Sequence, residues 1–443
     1  MRTFTLKGLF VTAVFMVLGC LAIHAADGDL ITKQITIKLE EAGTLASRIA
    51  DTKKYKITNL KIMGEINGTD LSFIREMAGR DNTGWGTEGK LTTLDLSEAK
   101  IVKGGLNYYY YNNCFFHTSD DVIGDYAFSG CSRLTSLTIP SSVTEIDESA
   151  FEGCSGLTSL TIPSSVTWIG RSAFEGCSGL TSLTIPSSVT SISKSAFDGC
   201  SGLTSLTLPS SVTRISESAF EGCSGLTSLT IPSSVTWIGR SAFKGCSGLT
   251  SLTIPSSVTS IGKSAFDGCS GLTSLTLPSS VTRISESAFE GCNGLTSLTL
   301  PSSVTEIGGY AFKGCSRLTS LTLPSSVTWI SESAFDGCSG LTSIYVSWES
   351  PLSIDASTFK DVNTEKCILY VPEGTYDDYW LSNWGIFANI VEYDATGINH
   401  IMTSGDAKEI SRYAADGQRL EVPAKGLNIV KYSDGCVKKV VVQ

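Results

Sequence analysis

Histidine and charge are the two things that this sequence has little of. Only 3 histidines occur among 443 residues, and one of them, His24, lies in a segment that we expect to be removed. Histidine is the usual side chain for acid–base and metal chemistry near neutral pH, so the two others leave little material for either. Charged residues make up 17%, and 43 acidic residues exceed 33 basic ones. Because no basic cluster offsets that balance, we predict no nucleic-acid partner.

Catalytic motifs are missing as well. The sequence contains no HExxH, no GxSxG, no phosphate-binding loop and no Cys/His group with metal-ligand spacing. Lone carboxylates such as Glu152 and Asp198 share a varying position with Lys244 and Lys313, an alternation typical of a solvated face. We therefore predict that the protein is not an enzyme and has no catalytic residue, metal site or cofactor.

The N-terminus has the pattern of an export signal. Arg2 and Lys7 precede an uncharged apolar run, and small residues follow at Ala25. This order predicts a secretory signal peptide over 1–25, with no membrane span after its removal. A lipoprotein signal with Cys20 as the acylated residue is the alternative. Either way, we expect the mature chain to leave the cytoplasm.

The middle of the chain is one 23-residue unit repeated in tandem, and residues 180–202 read LTSLTIPSSVTSISKSAFDGCSG. A fixed period in the range of 20–29 with Leu-x-x-Leu-x-Leu is the signature of a leucine-rich repeat. A 69-residue period lies on top, because residues 155–223 and 224–292 differ at only two positions. Ten cysteines mark the register: Cys131, Cys154, Cys177, Cys200, Cys223, Cys246, Cys269, Cys292, Cys315 and Cys338.

Each unit predicts a half-buried strand followed by a turn. Leu183 alternates with Ser182 and Thr184, which is the period of a strand with one buried face. Pro186 ends the strand, and Phe197 fills the interior. No unit can bury its apolar set alone, so the units must stack. The sequence therefore predicts a β-rich leucine-rich-repeat solenoid of 23-residue units.

The cysteine column has three interpretations. Stacked units would place these cysteines within disulfide range, and export would permit oxidation. Metal binding would require closer spacings such as C-x2-C, which are absent. We favour the third, in which each cysteine is a free, buried thiol that fills the same small space in every turn.

Caps are expected at both open ends of the solenoid. In the N-terminal part the spacing predicts strands over 35–39, 57–62 and 91–96, and helices over 45–49 and 70–79. A tyrosine-rich insert over 103–121 interrupts the pattern. The predicted domains are an N-terminal cap over 26–122 with degenerate repeats, repeats over 123–345, a C-terminal cap over 346–394 and a small β-module over 395–443.

The unit A-F-x-G-C-S-x-L-T-S-L-T-I/L-P-S-S-V-T-x-I closely resembles the BspA-like leucine-rich repeat, also described as the Treponema pallidum type. The match is strict over about 125–345, and both caps look like those of Bacteroidota members. The resemblance implies a secreted or surface-displayed protein, because several members are adhesins for host matrix or for other bacteria. It implies no catalytic residues.

The C-terminal segment after the second cap differs in character from the repeats. Gly-rich turns around 415–418 and 433–435 and an apolar end predict a small β-module. The pattern is similar to the C-terminal sorting domain of the type IX secretion system. That resemblance implies recognition at the outer membrane, whereas a β-domain without a sorting role is the alternative.

Two sets of residues are candidate binding sites. One is the variable column, the position before the inward isoleucine of each unit, which should face solvent. The other is the tyrosine-rich insert, since exposed tryptophan, arginine and tyrosine are the residue types that carry binding hot spots. The alternatives are a column that is merely tolerant of change and an insert that merely covers the first repeat. The candidates are Trp168, Arg214, Trp237, Arg283 and Trp329 in the column and Tyr108, Tyr109, Tyr110 and Tyr111 in the insert.

These features together predict an exported protein, secreted or associated with the outer membrane. We expect it to bind a protein or glycoprotein partner such as host matrix, mucin or a bacterial surface protein, as an adhesin. The alternative function is a structural or self-associating surface scaffold without a foreign ligand.

Overall fold

The structure is a computed structural model that describes residues 30–393, 409–414, 419–420, 422, 425–432 and 437–442. The predicted signal peptide over 1–25, with Cys20, lies outside these residues. The chain forms two compact units, Met1–Leu272 and Thr273–Gln443. The helices within the described ranges are all too short or too polar to span a membrane.

The first unit begins with a cap of parallel strands and short helices, and each strand and helix predicted there is confirmed within a few residues. Asn67 and Asp70 form a capping box at the start of its longest helix. Asp70 also accepts a hydrogen bond from the Leu45 amide at 2.9 Å, which ties two helices together. The elements are β1 (Ile35–Lys38), α1 (Leu45–Arg48), α2 (Asp51–Lys54), β2 (Asn59–Ile66), α3 (Gly68–Met77), β3 (Thr93–Ile101), β4 (Gly104–Tyr111) and β5 (Cys114–Thr118).

The repeats of the first unit add two short strands per turn, one on each wall. Three-residue strands continue the cap in one parallel sheet, in which Leu183 lies opposite Leu206. Two-residue strands form the opposite wall, in which Ser191 lies opposite Arg214. The strands are β6 (Val122–Ile123), β7 (Ser136–Thr138), β8 (Glu145–Ile146), β9 (Ser159–Thr161), β10 (Trp168–Ile169), β11 (Ser182–Thr184), β12 (Ser191–Ile192), β13 (Ser205–Thr207), β14 (Arg214–Ile215), β15 (Ser228–Thr230), β16 (Trp237–Ile238), β17 (Ser251–Thr253) and β18 (Ser260–Ile261).

The second unit is built from the same kinds of short strands and ends in a cap of its own. Trp384 and Tyr379 are fully buried in its cap, and the Trp384 indole donates to the Leu352 carbonyl at 2.7 Å. The elements are β19 (Ser274–Thr276), β20 (Arg283–Ile284), β21 (Ser297–Thr299), β22 (Glu306–Ile307), β23 (Ser320–Leu323), β24 (Trp329–Ile330), β25 (Ser343–Val346), β26 (Ile368–Pro372), α4 (Tyr376–Leu381), a 3-10 turn (Asn383–Ile386) and β27 (Asn389–Tyr393).

A four-stranded antiparallel sheet follows, in the order β29-β28-β30-β31. The sequence predicts a small β-module in this segment, and the structure has four strands there. Its strands are β28 (Glu409–Ala414), β29 (Arg419–Leu420), β30 (Gly426–Tyr432) and β31 (Val437–Val442). Both units thus confirm the β-rich leucine-rich-repeat solenoid with 23-residue turns, while the domain boundaries stay predictions.

Identical core residues stack directly on their copies in the next turn. The rings of Phe174 and Phe197 lie 5.3 Å apart and 2° from parallel, and neighbouring pairs repeat this geometry. At that centroid distance, aromatic pairs contribute attraction beyond simple burial. Leu183 and Phe197 are buried as the sequence predicts, while Ser182 and Thr184 are exposed.

Each turn also contains two residues with left-handed backbone. Gly199 has φ of 71°, and a Cβ there would meet the Gly176 Cα at 3.5 Å. Glycine suits that position because it has no Cβ to strain. Ser195 has φ of 53° in the same turn, and serines repeat this conformation through the column. The sequence predicts the glycine turn, but no residue preference reveals the serine.

The cysteine column is buried in the thiol form. The Cys200 Sγ donates to the Phe174 carbonyl of the preceding turn at 3.2 Å. Burial raises the pKa of the Cys177 thiol to about 12. A thiol in this state forms almost no thiolate at neutral pH and is therefore unreactive. These observations support the buried-thiol interpretation.

We predict that the buried thiols resist modification in the native protein. Among the described cysteines only Cys114 is exposed, so it should react with a chromogenic thiol reagent while the ten repeat cysteines react only after denaturation. Counting labelled sites by peptide mapping checks this. Cys436 lies outside the described residues, so the double variant Cys114→Ser, Cys436→Ser is the control for background labelling. Fast labelling of Cys200 in the folded protein would contradict the prediction.

Candidate functional site

The variable column lies on the surface, as predicted. In the first unit Ile169 is fully buried, whereas its neighbour Trp168 is 46% exposed. The same alternation places Ser191, Arg214 and Trp237 outward on consecutive turns. Since β12, β14 and β16 pair in parallel and in register, Ser191, Arg214 and Trp237 form one row. Trp168 lies on β10, which belongs to a separate sheet of the same wall.

The tryptophans of the column differ in their surroundings. Trp237 is half-buried, because the Arg214 guanidinium lies 4.9 Å from its ring centroid. This contact fits the alternative in which an indole lies against a neighbouring side chain. Trp329 in the second unit is 62% exposed, and its Nε1 donates to the Ser331 hydroxyl at 3.0 Å.

The two arginines of the column also differ, although duplication made them equivalent. The Arg283 Nη1 lies 3.3 Å from the Glu306 Oε2, so its charge is neutralised on the next turn. Arg214 has Trp237 at the corresponding place and no such carboxylate. The structure therefore distinguishes two positions that the sequence makes alike.

The tyrosine insert is an antiparallel hairpin, β4–β5. Its turn uses Asn112 and Asn113 with φ of 49° and 63°, the backbone that tight two-residue hairpins need. Tyr109 and Phe116 on the inner face pack against Tyr126 of the first repeat, with centroids 5.4 and 5.1 Å away. The insert therefore does cover the first repeat.

Two of the four predicted tyrosines require correction. Tyr108 is 1% exposed and Tyr109 is 8% exposed, so neither ring is available to a partner. The Tyr108 hydroxyl donates to the Asp125 carbonyl at 2.8 Å, and burial is the main cause that raises its pKa. Tyr110 is half-buried and Tyr111 is 47% exposed.

Sequence reasoning missed two exposed aromatic residues near this hairpin. Phe115 is 64% exposed beside the Tyr110 ring at 4.9 Å, and Trp85 is 76% exposed on a neighbouring turn. The Tyr110 amide donates to the Asn82 carbonyl at 2.7 Å, which brings the two segments together. The run Asp-Asn-Thr-Gly-Trp-Gly is a turn signal that could have indicated an exposed indole.

A buried arginine fixes the hairpin to the first repeat. Arg75 is fully buried, and its Nη1 donates to the Tyr126 and Ala127 carbonyls at 2.8 and 3.0 Å. Its guanidinium also lies 4.4 Å from the Tyr109 ring centroid. One side chain thus joins α3, the hairpin and the first turn.

The varying position shared by Glu152, Asp198, Lys244 and Lys313 is here called the charged column. This column is less solvated than its alternating charges indicate. Asp198 is half-buried, and burial raises the pKa of its carboxyl to about 6, with Glu221 and Glu175 adding to the effect. No group of three or more His, Cys, Asp or Glu among the described residues is arranged to hold a metal ion. The raised pKa of Asp198 gives this column an effect on the pH dependence of stability.

Parallel walls, a stacked phenylalanine core and 23-residue turns define a leucine-rich-repeat solenoid. A family model described as BspA type leucine-rich repeat region matches residues 121–250 and 236–366, more than half of the chain. The chain therefore belongs to the BspA type leucine-rich repeat family. No curated protein matches it.

Several crystal structures are similar to the chain. A leucine-rich repeat protein from Bacteroides ovatus ATCC 8483 is 24% identical over 70% of this chain and 88% of its own, with a TM-score of 0.46. The T. pallidum leucine-rich repeat protein is 31% identical over 44% and 82%, with a TM-score of 0.34. A leucine-rich cell surface protein from Faecalibacterium prausnitzii A2-165 is 30% identical over 55% and 86%, with a TM-score of 0.29.

We predict that Arg75→Met loosens the hairpin. The change leaves the carbonyls of Tyr126 and Ala127 without their donor, which should cost about 2 to 3 kcal/mol locally. Hydrogen exchange of residues 104–118 should become faster, while exchange in the later repeats stays unchanged. Arg48→Met, at an exposed arginine of α1, is the control. Unchanged exchange in the hairpin would refute the anchoring role.

We also predict that the repeats are more stable at pH 5 than at pH 8. The pKa of Asp198 is raised from 3.8 to about 6 in the folded state, so the folded chain holds this proton more tightly than the unfolded chain. The free energy of unfolding therefore falls as pH rises through that interval. Asp198→Asn should raise it at pH 8 by about 1 kcal/mol, allowing for solvent screening, and leave it unchanged at pH 4. Denaturant midpoints at each pH check this, and a pH-independent effect would contradict it.

Proposed function

We propose that this protein is exported and acts at the cell surface as an adhesin. Its ligand would be a protein or glycoprotein such as host matrix, mucin or a surface protein of another bacterium. Membership of the BspA type family supports this proposal, and a similar protein from F. prausnitzii is described as a cell surface protein. The order of charged, apolar and small residues over 1–25 supports export.

The observation that carries the proposal is the exposed chemistry of the variable column. The repeat interior is uniform, yet this column alone alternates indole, hydroxyl and guanidinium groups on its outer face. Trp168 is 46% exposed and Trp329 is 62% exposed. Each lies on a short paired strand. A rigid backbone that presents tryptophan and arginine loses little conformational entropy when a partner binds.

We also propose that residues 395–443 direct export by the type IX pathway and then attach the protein to the outer membrane. The four-stranded antiparallel sheet supports this, because it differs in strand direction from the parallel repeats. Deleting residues 395–443 should leave the protein inside the cell envelope. Detection of the truncated chain outside the cells, by fractionation and immunoblotting, would contradict the sorting role.

Binding of the purified chain, without its signal peptide, to immobilised matrix proteins and mucins tests the adhesin proposal. We expect saturable binding that falls at least about tenfold in the triple variant Trp168→Ala, Trp237→Ala, Trp329→Ala. The matched control is Thr184→Ala, Thr207→Ala, Thr230→Ala, which changes three exposed strand positions on the opposite wall.

A second variant separates the two candidate surfaces. Trp85→Ala with Phe115→Ala removes the exposed aromatic residues of the hairpin region without touching Arg75 or Tyr126. Binding lost only in this variant would move the site to the N-terminal cap. No binding to any ligand, together with a mass that rises with concentration, would favour the self-associating scaffold.

A further inference from the structure

One position of the variable column is a gap between two large side chains. In the first unit Ser191 on β12 lies between Trp168 on β10 and Arg214 on β14. β12 pairs with β14, whereas β10 belongs to a separate sheet. The Phe174 and Phe197 rings of the first two of these turns lie 5.3 Å apart, so Trp168 and Arg214, two turns apart, arise from backbone about 10 Å apart. Ser191 is half-buried and much smaller than its two neighbours, and we call the low position that it makes between them the gap.

The groups on the two sides of this gap have no partner that matches their chemistry. Arg214 stacks on Trp237 at 4.9 Å, a contact that fixes the guanidinium but leaves its positive charge uncompensated. The nearby carboxylate of Glu217 is already paired with Lys194 at 3.0 Å. The residue two positions after Trp168 is Gly170, which has no hydroxyl to accept a hydrogen bond from the Trp168 indole N–H.

The second unit provides the contrasting case. There Arg283 is neutralised by Glu306 at 3.3 Å, and the Trp329 indole donates to Ser331 at 3.0 Å. The same residue types are thus satisfied by their own neighbours in one unit and available in the other. The difference lies in the residues that follow each arginine and each tryptophan along the stack.

An anionic ligand fits the available set. A guanidinium held on an indole presents its hydrogen-bond donors in a fixed plane, which suits a carboxylate. Glu145 lies on the turn before Trp168 and would repel an anion there, so the negative group should sit at the Arg214 side. The exposed Trp168 ring then meets the uncharged part of the ligand.

We propose that the gap formed by Trp168, Ser191 and Arg214 binds a carboxylate-bearing sugar, either a sialic acid or a uronic acid. The sugar ring stacks on the Trp168 indole, its hydroxyls bond the indole N–H and the Ser191 hydroxyl, and its carboxylate pairs with Arg214. An acidic peptide would satisfy Arg214 but leave the indole face and the two polar groups unmatched. This inference rests on the proposed adhesin function and names the ligand class of one part of the same column.

Titration of the full chain with four probes tests the inference. The probes are 3′-sialyllactose, an unsulfated hyaluronan tetrasaccharide that carries glucuronate, neutral lactose and a hexaglutamate peptide. The readout is the NMR signal of the Trp168 indole N–H, assigned with Trp168→Phe. We expect saturable shifts with one or both acidic sugars, at least about tenfold weaker binding of lactose, and weakening by added salt. Which acidic sugar binds identifies its source.

Matched variants in the two units make the result specific. Arg214→Gln and Trp168→Ala should each weaken binding by about tenfold, whereas Arg283→Gln and Trp329→Ala should leave it within about twofold. Arg214→Lys, which keeps the charge but not the planar donors, should lie between. Thermal unfolding of each variant confirms that the wall remains folded.

Several results would overturn the inference. Absence of binding, equal binding of lactose, hexaglutamate binding at least as tightly as the sugars, or equal loss in Arg283→Gln would each do so. A final comparison separates it from the adhesin proposal. If mucin binding is lost in the triple tryptophan variant but survives both sialidase treatment and Arg214→Gln, the adhesin stands and the acidic-sugar site is wrong.

Discussion

The whole architecture depends on each turn lying in register on the one before it. The Gly199 amide donates to the Glu221 carbonyl of the following turn at 2.8 Å. The Cys200 thiol donates to the Phe174 carbonyl of the preceding turn. Many polar groups of one turn are therefore satisfied by its neighbours, and its apolar groups are buried by stacking on them. The turn from Phe335 to Phe359 is one residue longer than the repeat, yet its rings still stack at 5.4 Å, so register of the stacked groups matters more than an identical turn length.

That constraint explains which features the sequence could predict. The alternation around Leu183 and the position of Phe197 repeat many times, so period alone assigns them to strand and core. The insert occurs once, and its register includes an irregularity between Gly104 and Tyr109. Burial of Tyr108 and exposure of Trp85 follow from packing against distant residues, which no local pattern contains.

The column shows the same limit at the level of single residues. Arg214 and Arg283 stand in almost identical sequence, yet one contacts an indole and the other a carboxylate. What an outward side chain contacts is decided by the next repeat of the chain, one turn up the stack. A uniform interior thus permits outward positions to change independently, and the contacts of each outward side chain depend on residues that are far apart in sequence.

The near-identity of residues 155–223 and 224–292 has an evolutionary consequence. Because every turn presents the same two faces to its neighbours, recombination between such blocks can delete or add three turns without disturbing either cap. Each event would change the number of turns by three and the number of outward tryptophan–arginine sets by one. The number of turns and the number of outward tryptophan–arginine sets are therefore heritable quantities that can change while the fold of each turn stays constant.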